Sequence, residues 1–295
     1  MIETTVRTGL VGAGPWATVM HAPLLAGGPG TSLEAVWARR EDAATELARQ
    51  YGASVAGSFD ELLERCDAIA FAVPPDVQAA LAPRAAAAGK HLLLEKPLAF
   101  SLADAERLAD AVDEAGVRTL LFLTNRFTAE GREFVRLAAE AEPQAAQARS
   151  LGGGSLPGSL FATPWRVARG ALLDLGPHVL DLLVAALGPV AEITATGDPT
   201  RVVALTTRHE SGVLGQALLS ITTADAEDAM VCHVHTDAGP VVFDSRAVTD
   251  DAALLSTIAR EFSDSVRTGV PHELDVHRGL MLQRLLEQAE ASLVS

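Results

Sequence analysis

Cysteine is nearly absent from the 295-residue chain, occurring only at Cys66 and Cys232. The two lie far apart and outside any C-x-x-C or zinc-ligand pattern, which argues against a disulfide scaffold or a structural metal. Basic charge is also short. The 23 Lys and Arg stand against 38 Asp and Glu, for a net charge of −15, and no basic cluster occurs. A surface this acidic repels phosphate backbones and anionic lipid, so neither nucleic acid nor membrane is an expected partner. Long apolar runs are missing too: nothing approaches about 18 uninterrupted apolar residues. The opening MIETTVRTGLVGAG has no basic stretch followed by a long apolar one, and a cytoplasmic protein is the expectation.

What remains is the ordinary composition of a soluble globular chain, 48% hydrophobic and 21% charged, long enough for two domains with cores of their own. The first part alternates strand and helix. Apolar runs predict strands over 8–11, 32–37, 68–73, 91–94 and 117–123. Helical periodicity predicts helices over 17–26, 41–51, 78–88 and 102–115, with Gly52 as a C-cap and Ser101 as an N-cap. Beyond residue 124 the pattern changes. A helix over 130–141 leads to the Gly/Ser/Pro-rich stretch 151–159 and a second helix ending near 187. Period-2 stretches follow over 192–196, 202–208, 213–222, 229–236 and 240–244. Tight turns at 209–212 and 237–239 join some of them into hairpins. Helices over 252–268 and 276–291 close the chain. The expected fold is α/β: an N-terminal Rossmann domain with a doubly wound parallel sheet over 1–124, then a C-terminal α+β domain over 125–295 with a mostly antiparallel open sheet.

The first strand ends in Gly12-x-Gly14-x-x-Ala17, where a dinucleotide fingerprint belongs. The first glycine permits the tight turn, the second lets the backbone approach a pyrophosphate, and the small third residue allows close helix–strand packing. The second strand ends in Val36-Trp37-Ala38-Arg39-Arg40. An acid there would hold a ribose 2′-hydroxyl, whereas arginine suits a 2′-phosphate. Ala38 stands in the acid's place, so NADP is favoured over NAD, although Glu41 and Asp42 are close enough to blur the choice.

Three stretches in order, VGAGPWATVMHAPLL at 11–25, GKHLLLEKPLA at 89–99 and GALLDLGPHVLDLL at 170–183, resemble the Gfo/Idh/MocA oxidoreductases. FSDSVRTGVPHEL at 262–274 is similar to the same family, so the resemblance covers essentially the whole chain. It implies hydride transfer between nicotinamide and a secondary alcohol or ketone of a sugar, cyclitol or similar polyol. It also implies that Lys96 lies beside the nicotinamide, that Asp174 and His178 face the substrate, and that Pro97 follows a cis peptide bond. The cofactor set implied is Gly12, Gly14, Pro15, Trp16, Ala17, Ala38, Arg39, Arg40, Val73, Pro74, Glu95, Lys96 and Pro97. Asn125, Trp165 and Arg166 match positions near the substrate more weakly. The chain departs from the pattern at Gln78, where the family often has histidine. Its one tyrosine, Tyr51, lies outside the motifs, so branches using an active-site tyrosine are poor guides. It is also short for the family, which the resemblance places as trimming around 145–165.

The residue types fit this chemistry in their own right. Hydride transfer needs an acid/base for the hydroxyl proton, and His178 has the intrinsic pKa for that near neutrality. Lys96 can stabilise charge developing on the reacting oxygen. Asp174, four residues before His178, shares a helical face with it, or lies just ahead of the helix, since Pro177 suits a first turn. Asp181 continues that face, as a surface carboxylate or a functional one. No metal is expected: His233-x-His235 lacks an evident third ligand, and the remaining histidines, His209, His272 and His277, read as structural. Two alternatives stay open, a non-catalytic NAD(P)-binding regulator and a reductase of a non-sugar carbonyl or imine. The sheet over 192–244 carries apolar residues on both faces in places, as in Val202-Val203-Ala204-Leu205, which predicts a homodimer or homotetramer joined through it.

Overall fold

The computed structural model describes residues 5–224 and 229–293; the ends of the two expected domains, 1–4 and 294–295, lie outside them. The chain forms two compact units. One takes the residues up to Phe122 together with Asp251–Leu280; the other takes Leu123–Asp250 and the chain from Met281.

In the first unit, β1 (Val6–Val11), β2 (Thr31–Trp37), β3 (Ser54–Val55), β4 (Ala68–Phe71), β5 (His91–Leu94) and β6 (Thr119–Leu121) form one sheet. Their order is β3-β2-β1-β4-β5-β6, with every pairing parallel. β1 and β4 are buried almost throughout, as strands covered on both faces must be. After β1 the chain makes a π-helical turn, Ala17–His21, before α1 (Ala22–Gly27), where periodicity alone predicted one plain helix. α2 (Glu41–Tyr51) ends at Gly52, whose φ of 67° is the left-handed cap position that glycine fills without strain. α3 (Phe59–Arg65) was not foreseen. It is held by Ser58, whose hydroxyl accepts from the Glu61 N–H. α4 (Pro75–Ala87) starts three residues earlier than predicted, and α5 (Leu102–Ala115) is capped by Ser101, as expected.

The segment Asp251–Leu280 groups with this sheet rather than with the second half, which corrects the assignment of 125–295 to one domain. α8 (Asp251–Thr268) fully buries Ile258, Ala259 and Phe262. A Cβ added at Gly28 would collide with Ala259, and one at Gly30 with Ser263. Beyond α8 the chain runs against the edge strand β6: the Leu121 N–H donates to the Leu274 carbonyl at 2.7 Å, and the Val276 N–H to Thr119 Oγ1 at 2.9 Å. α9 (Val276–Leu293) begins in this unit and ends in the other.

The second unit is a six-stranded mixed sheet with helical cover. Its strands are β7 (Pro143–Leu151), β8 (Val190–Asp198), β9 (Val202–His209), β10 (Leu214–Ser220), β11 (Ala229–Thr236) and β12 (Gly239–Asp244), in the order β12-β11-β7-β10-β9-β8. Only β7 and β10 run parallel; the other pairs are antiparallel. β7 replaces part of the expected trimmed loop with a strand deep in the sheet. Its composition, PQAAQARSL, carries little β propensity, and pairing on both sides overrides that. Along β9 Val203, Leu205, Thr207 and His209 are buried and the residues between them exposed. Of the run 202–205, Val203 and Leu205 therefore face inward and Val202 and Ala204 outward.

α6 (Ala129–Glu140) and α7 (Pro164–Leu187) complete this unit. α7 is long and apolar enough to cross a membrane by length and composition, yet 78% of its apolar window is buried inside the structure, as a core helix requires. It is broken at Gly170, with φ 72° and ψ −163°, a region open essentially to glycine alone. A Cβ there would run into the Pro199 carbonyl, which instead accepts from the Ala171 N–H at 2.9 Å. The segment that follows carries Asp174 and His178 on one face. Asp174 is thus inside a helix and not ahead of one, and Pro177 is an interior proline.

Candidate active site

In the first unit the ends of β1, β2 and β4 frame a cleft of about 360 Å³, lined by Gly12, Gly14, Ala38, Arg39, Arg40, Val73 and Pro74 among others. Its edge is the carboxyl end of a parallel sheet next to the reversal of strand order, the place where such folds bind nucleotides. Gly12 has φ 111°, and a Cβ on it would collide with the Ala72 carbonyl. At Gly14 the opposite holds: a Cβ would meet no heavy atom within 4 Å. One glycine serves the turn and the other leaves the backbone bare toward open space, as a pyrophosphate requires. Arg39 and Arg40 are exposed at the same cleft, and Glu41 and Asp42 do not line it.

Pro15, Trp16, Ala17, Glu95, Lys96 and Pro97 are not among the residues lining that cleft. Ala17 is fully buried, the small residue that close packing of this turn calls for. Trp16 donates its indole N–H to Glu95 Oε1 at 2.6 Å and meets Phe122 edge-on. The same carboxylate oxygen lies 2.7 Å from His21 Nε2, while Glu95 Oε2 accepts from the Lys96 N–H at 3.2 Å. His21 is wholly buried and stacked on Phe122. Lys96 is half-buried two residues beyond β5, at the sheet edge that carries the cleft, and its bond to Pro97 is cis.

In the second unit Asp174 is buried and its Oδ1 lies 3.1 Å from Arg166 Nε. The Arg166 guanidinium in turn lies over the Trp165 ring, 4.7 Å from its centroid. Three of the predicted residues, Trp165, Arg166 and Asp174, therefore form one chain of contacts, with the half-buried His178 one turn beyond. Asn125 stands apart from that chain, with its amide nitrogen 3.1 Å from Met230 Sδ. Asp181 is neither a surface nor an open carboxylate: it is 1% exposed and bound to Arg126 at 3.2 Å. His209 bonds the Gly188 carbonyl, His272 meets Glu261 and His277 meets Asp113. Among the described residues no group of three or more His, Cys, Asp or Glu is placed to hold a metal ion.

Sequence reasoning missed His21, Gln78 and Arg126. His21 stood within a quoted motif, and its burial on Glu95 had no signal because its partner is 74 residues away. Arg126 resembled any loop arginine. Gln78 was noticed only as a departure from a pattern.

Comparison with known proteins agrees with this geometry. Residues 6–122 match the family model described as "Oxidoreductase family, NAD-binding Rossmann fold", and residues 140–242 match the Gfo/Idh/MocA C-terminal domain. A dTDP-3,4-didehydro-2,6-dideoxy-alpha-D-glucose 3-reductase of Streptomyces violaceoruber is 32% identical over 198 residues, covering 62% of this chain and 55% of that protein. A D-glucoside 3-dehydrogenase of Escherichia coli is 30% identical over 202 residues, covering 64% and 56%. The match thus spans little more than half the length of these curated relatives. Among solved structures, GenD2 from gentamicin A biosynthesis, in complex with NAD, superposes with a TM-score of 0.88 at 24% identity, covering 100% of this chain and 96% of that one. The apo scyllo-inositol dehydrogenase of Lactobacillus casei gives 0.87 at 15% identity, covering 100% and 97%; both likenesses speak for the fold alone. With both of its halves matched in order, the chain belongs to the Gfo/Idh/MocA family of NAD-binding oxidoreductases.

Proposed function

We propose that the protein is a nicotinamide-dependent dehydrogenase or reductase acting on a secondary alcohol or ketone of a sugar, cyclitol or similar polyol, with NADP favoured over NAD. One observation carries the reading. The glycine-framed cleft and Lys96 emerge from neighbouring parallel strands on one edge of the sheet. The sugar-active relatives support the substrate class.

A bound nicotinamide would supply the hydride acceptor or donor. Gly12 makes the turn, Gly14 leaves room for the pyrophosphate, and Arg39 and Arg40 offer charge-assisted hydrogen bonds to a 2′-phosphate. Lys96 hydrogen-bonds the reacting oxygen and stabilises its negative charge. His178 takes the hydroxyl proton in oxidation and returns it in reduction. Asp174, fixed by Arg166, binds a substrate hydroxyl and orients the imidazole. Trp165 and Asn125 are assigned to substrate contacts. The exposed apolar side chains on the outer face of the second unit's sheet, Val202, Leu214, Leu218 and Val242, support a homodimer or homotetramer joined through it.

The test is a screen of polyols and keto-sugars that follows absorbance of the reduced nicotinamide. Turnover should appear with at least one, and His178→Ala and Lys96→Met should each lower kcat by about 10²-fold or more at little change in cofactor affinity. Near-native turnover in both variants would overturn the mechanism. Cofactor binding with no turnover on any substrate would favour a non-catalytic regulator.

A further inference from the structure

Gln78 sits in the first turn of α4 and is completely buried. Its side chain reaches across to the loop that carries Lys96. Gln78 Oε1 accepts from the Glu95 N–H at 2.8 Å, and Nε2 donates to the Glu95 carbonyl at 2.8 Å and to the Leu98 carbonyl at 3.1 Å. The loop presents one donor and two acceptors, and a primary amide is the side chain that answers all three at once. Turning the amide over would set donor against donor and acceptor against acceptor, so the orientation is fixed by its partners. These bonds grip the backbone immediately before Lys96 and again two residues after it. The Glu95 carboxylate is tied separately to Trp16 and His21. Helix α4 begins next to Pro74, which lines the nucleotide cleft, so a single helix start borders the cleft and holds the lysine loop.

We infer that Gln78 is a positioning residue: its buried amide sets where the Lys96 ammonium stands relative to the nucleotide cleft. This rests on the reading of Lys96 as the group that meets the reacting oxygen. A rigid anchor matters there, because a misplacement of about 1 Å at a reacting centre can cost about 10²-fold in rate.

The test is a double-mutant cycle on the full chain, using Gln78→Met, Lys96→Met and the pair, with the fastest polyol of the screen. Gln78→Met keeps the length of the side chain and removes its hydrogen bonds. It should lower kcat by about 10²-fold while NADPH affinity holds, and in the Lys96→Met background it should act within about twofold of no effect. An equal loss in both backgrounds would show a purely structural role and overturn the inference, as would unchanged kcat in the single variant. If Lys96→Met alone keeps its turnover, the fault lies with the role given to the lysine, and the inference falls with it. A second readout needs no substrate. The chain has only two lysines, Lys90 and Lys96, so acetylation by acetic anhydride, followed by mass spectrometry, reports Lys96 against Lys90 as an internal control. That ratio should change in Gln78→Met, and an unchanged ratio contradicts the inference. Should Gln78→Met fail to fold, Gln78→His keeps one donor and one acceptor and should shift both readouts in the same direction by less; no shift in either would be equally fatal.

Discussion

At the scale of single residues, the proposed preference between two cofactors that differ by one phosphate rests on the end of β2. Ala38 leaves empty the place where a carboxylate would hold a 2′-hydroxyl and repel a 2′-phosphate. Arg39 and Arg40 line the same cleft and are exposed, so neither guanidinium must be stripped of much water before it meets an anion. A hydrogen bond to a charged group contributes roughly 1.5–3 kcal/mol, or about ten- to a hundredfold in affinity. Fluorescence titration should therefore show tighter binding of NADPH than of NADH by a factor in that range. Ala38→Asp combined with Arg39→Ala should reverse the order, since the variant gains an acceptor for the ribose and loses a donor for the phosphate. Equal affinities in the unaltered protein would defeat the argument. The residues on which this prediction rests, Ala38, Arg39 and Arg40, were legible in the sequence because they are consecutive and follow a strand whose end could be placed. Where the deciding partner is distant the same reading fails. Nothing near Asp181 announces Arg126, and nothing near Glu95 announces Gln78.

Whole elements follow the same division between local and distant causes. Strands β1, β2, β4, β5 and β6 and helices α2 and α5 were legible because apolar runs, a left-handed glycine and a serine cap are local instructions. β3 is two residues long, and β7 is an alanine- and glutamine-rich segment that becomes a strand only because β10 and β11 pair with it on either side. Alternation within β9 and β10 sorts each residue to a face, and the outer face is mixed rather than continuously apolar. Leu214 is 51% exposed and Leu218 39%. In register, Leu218 stands beside Ala204 on β9 and Arg149 on β7, near the middle of the face. Such apolar centres with polar surroundings mark subunit interfaces. Light scattering at micromolar concentration should give a mass of two or four chains. Leu218→Arg should lower it, with little loss of thermal stability, because the residue contributes nothing to the inner core. A monomer before any substitution would remove the proposal.

For the molecule as a whole, buried titratable groups bound the pH range over which it stays folded, and each unit carries the same two kinds. Burial pushes the thiols of Cys66 and Cys232 up to about 12. Burial also lowers His91, with Arg118 adding to the effect, and lowers His209 against the opposing pull of the Gly188 carbonyl. The histidines act on the acid side. Unfolded, they take up protons below about pH 6.5; folded, they resist, so the unfolded state binds more protons and stability is lost as pH falls. The thiols act on the alkaline side. Above about pH 8.5 the unfolded chain ionises them while the folded protein keeps them neutral, so stability falls as pH rises, by up to about 1.4 kcal/mol per pH unit for each thiol. The carboxylates held low, Asp67 by Arg7 and Asp244 at about 2 by Arg246, belong to solvent-exposed pairs that contribute little. Urea midpoints should therefore fall between about pH 8.5 and 10, and more weakly below about pH 6.5. Cys66→Ala or Cys232→Ala also removes buried packing and lowers the midpoint at every pH, so the slope is the quantity to read. Each substitution should flatten the alkaline limb, and the pair should flatten it most. An alkaline limb equally steep without either thiol would place its cause elsewhere.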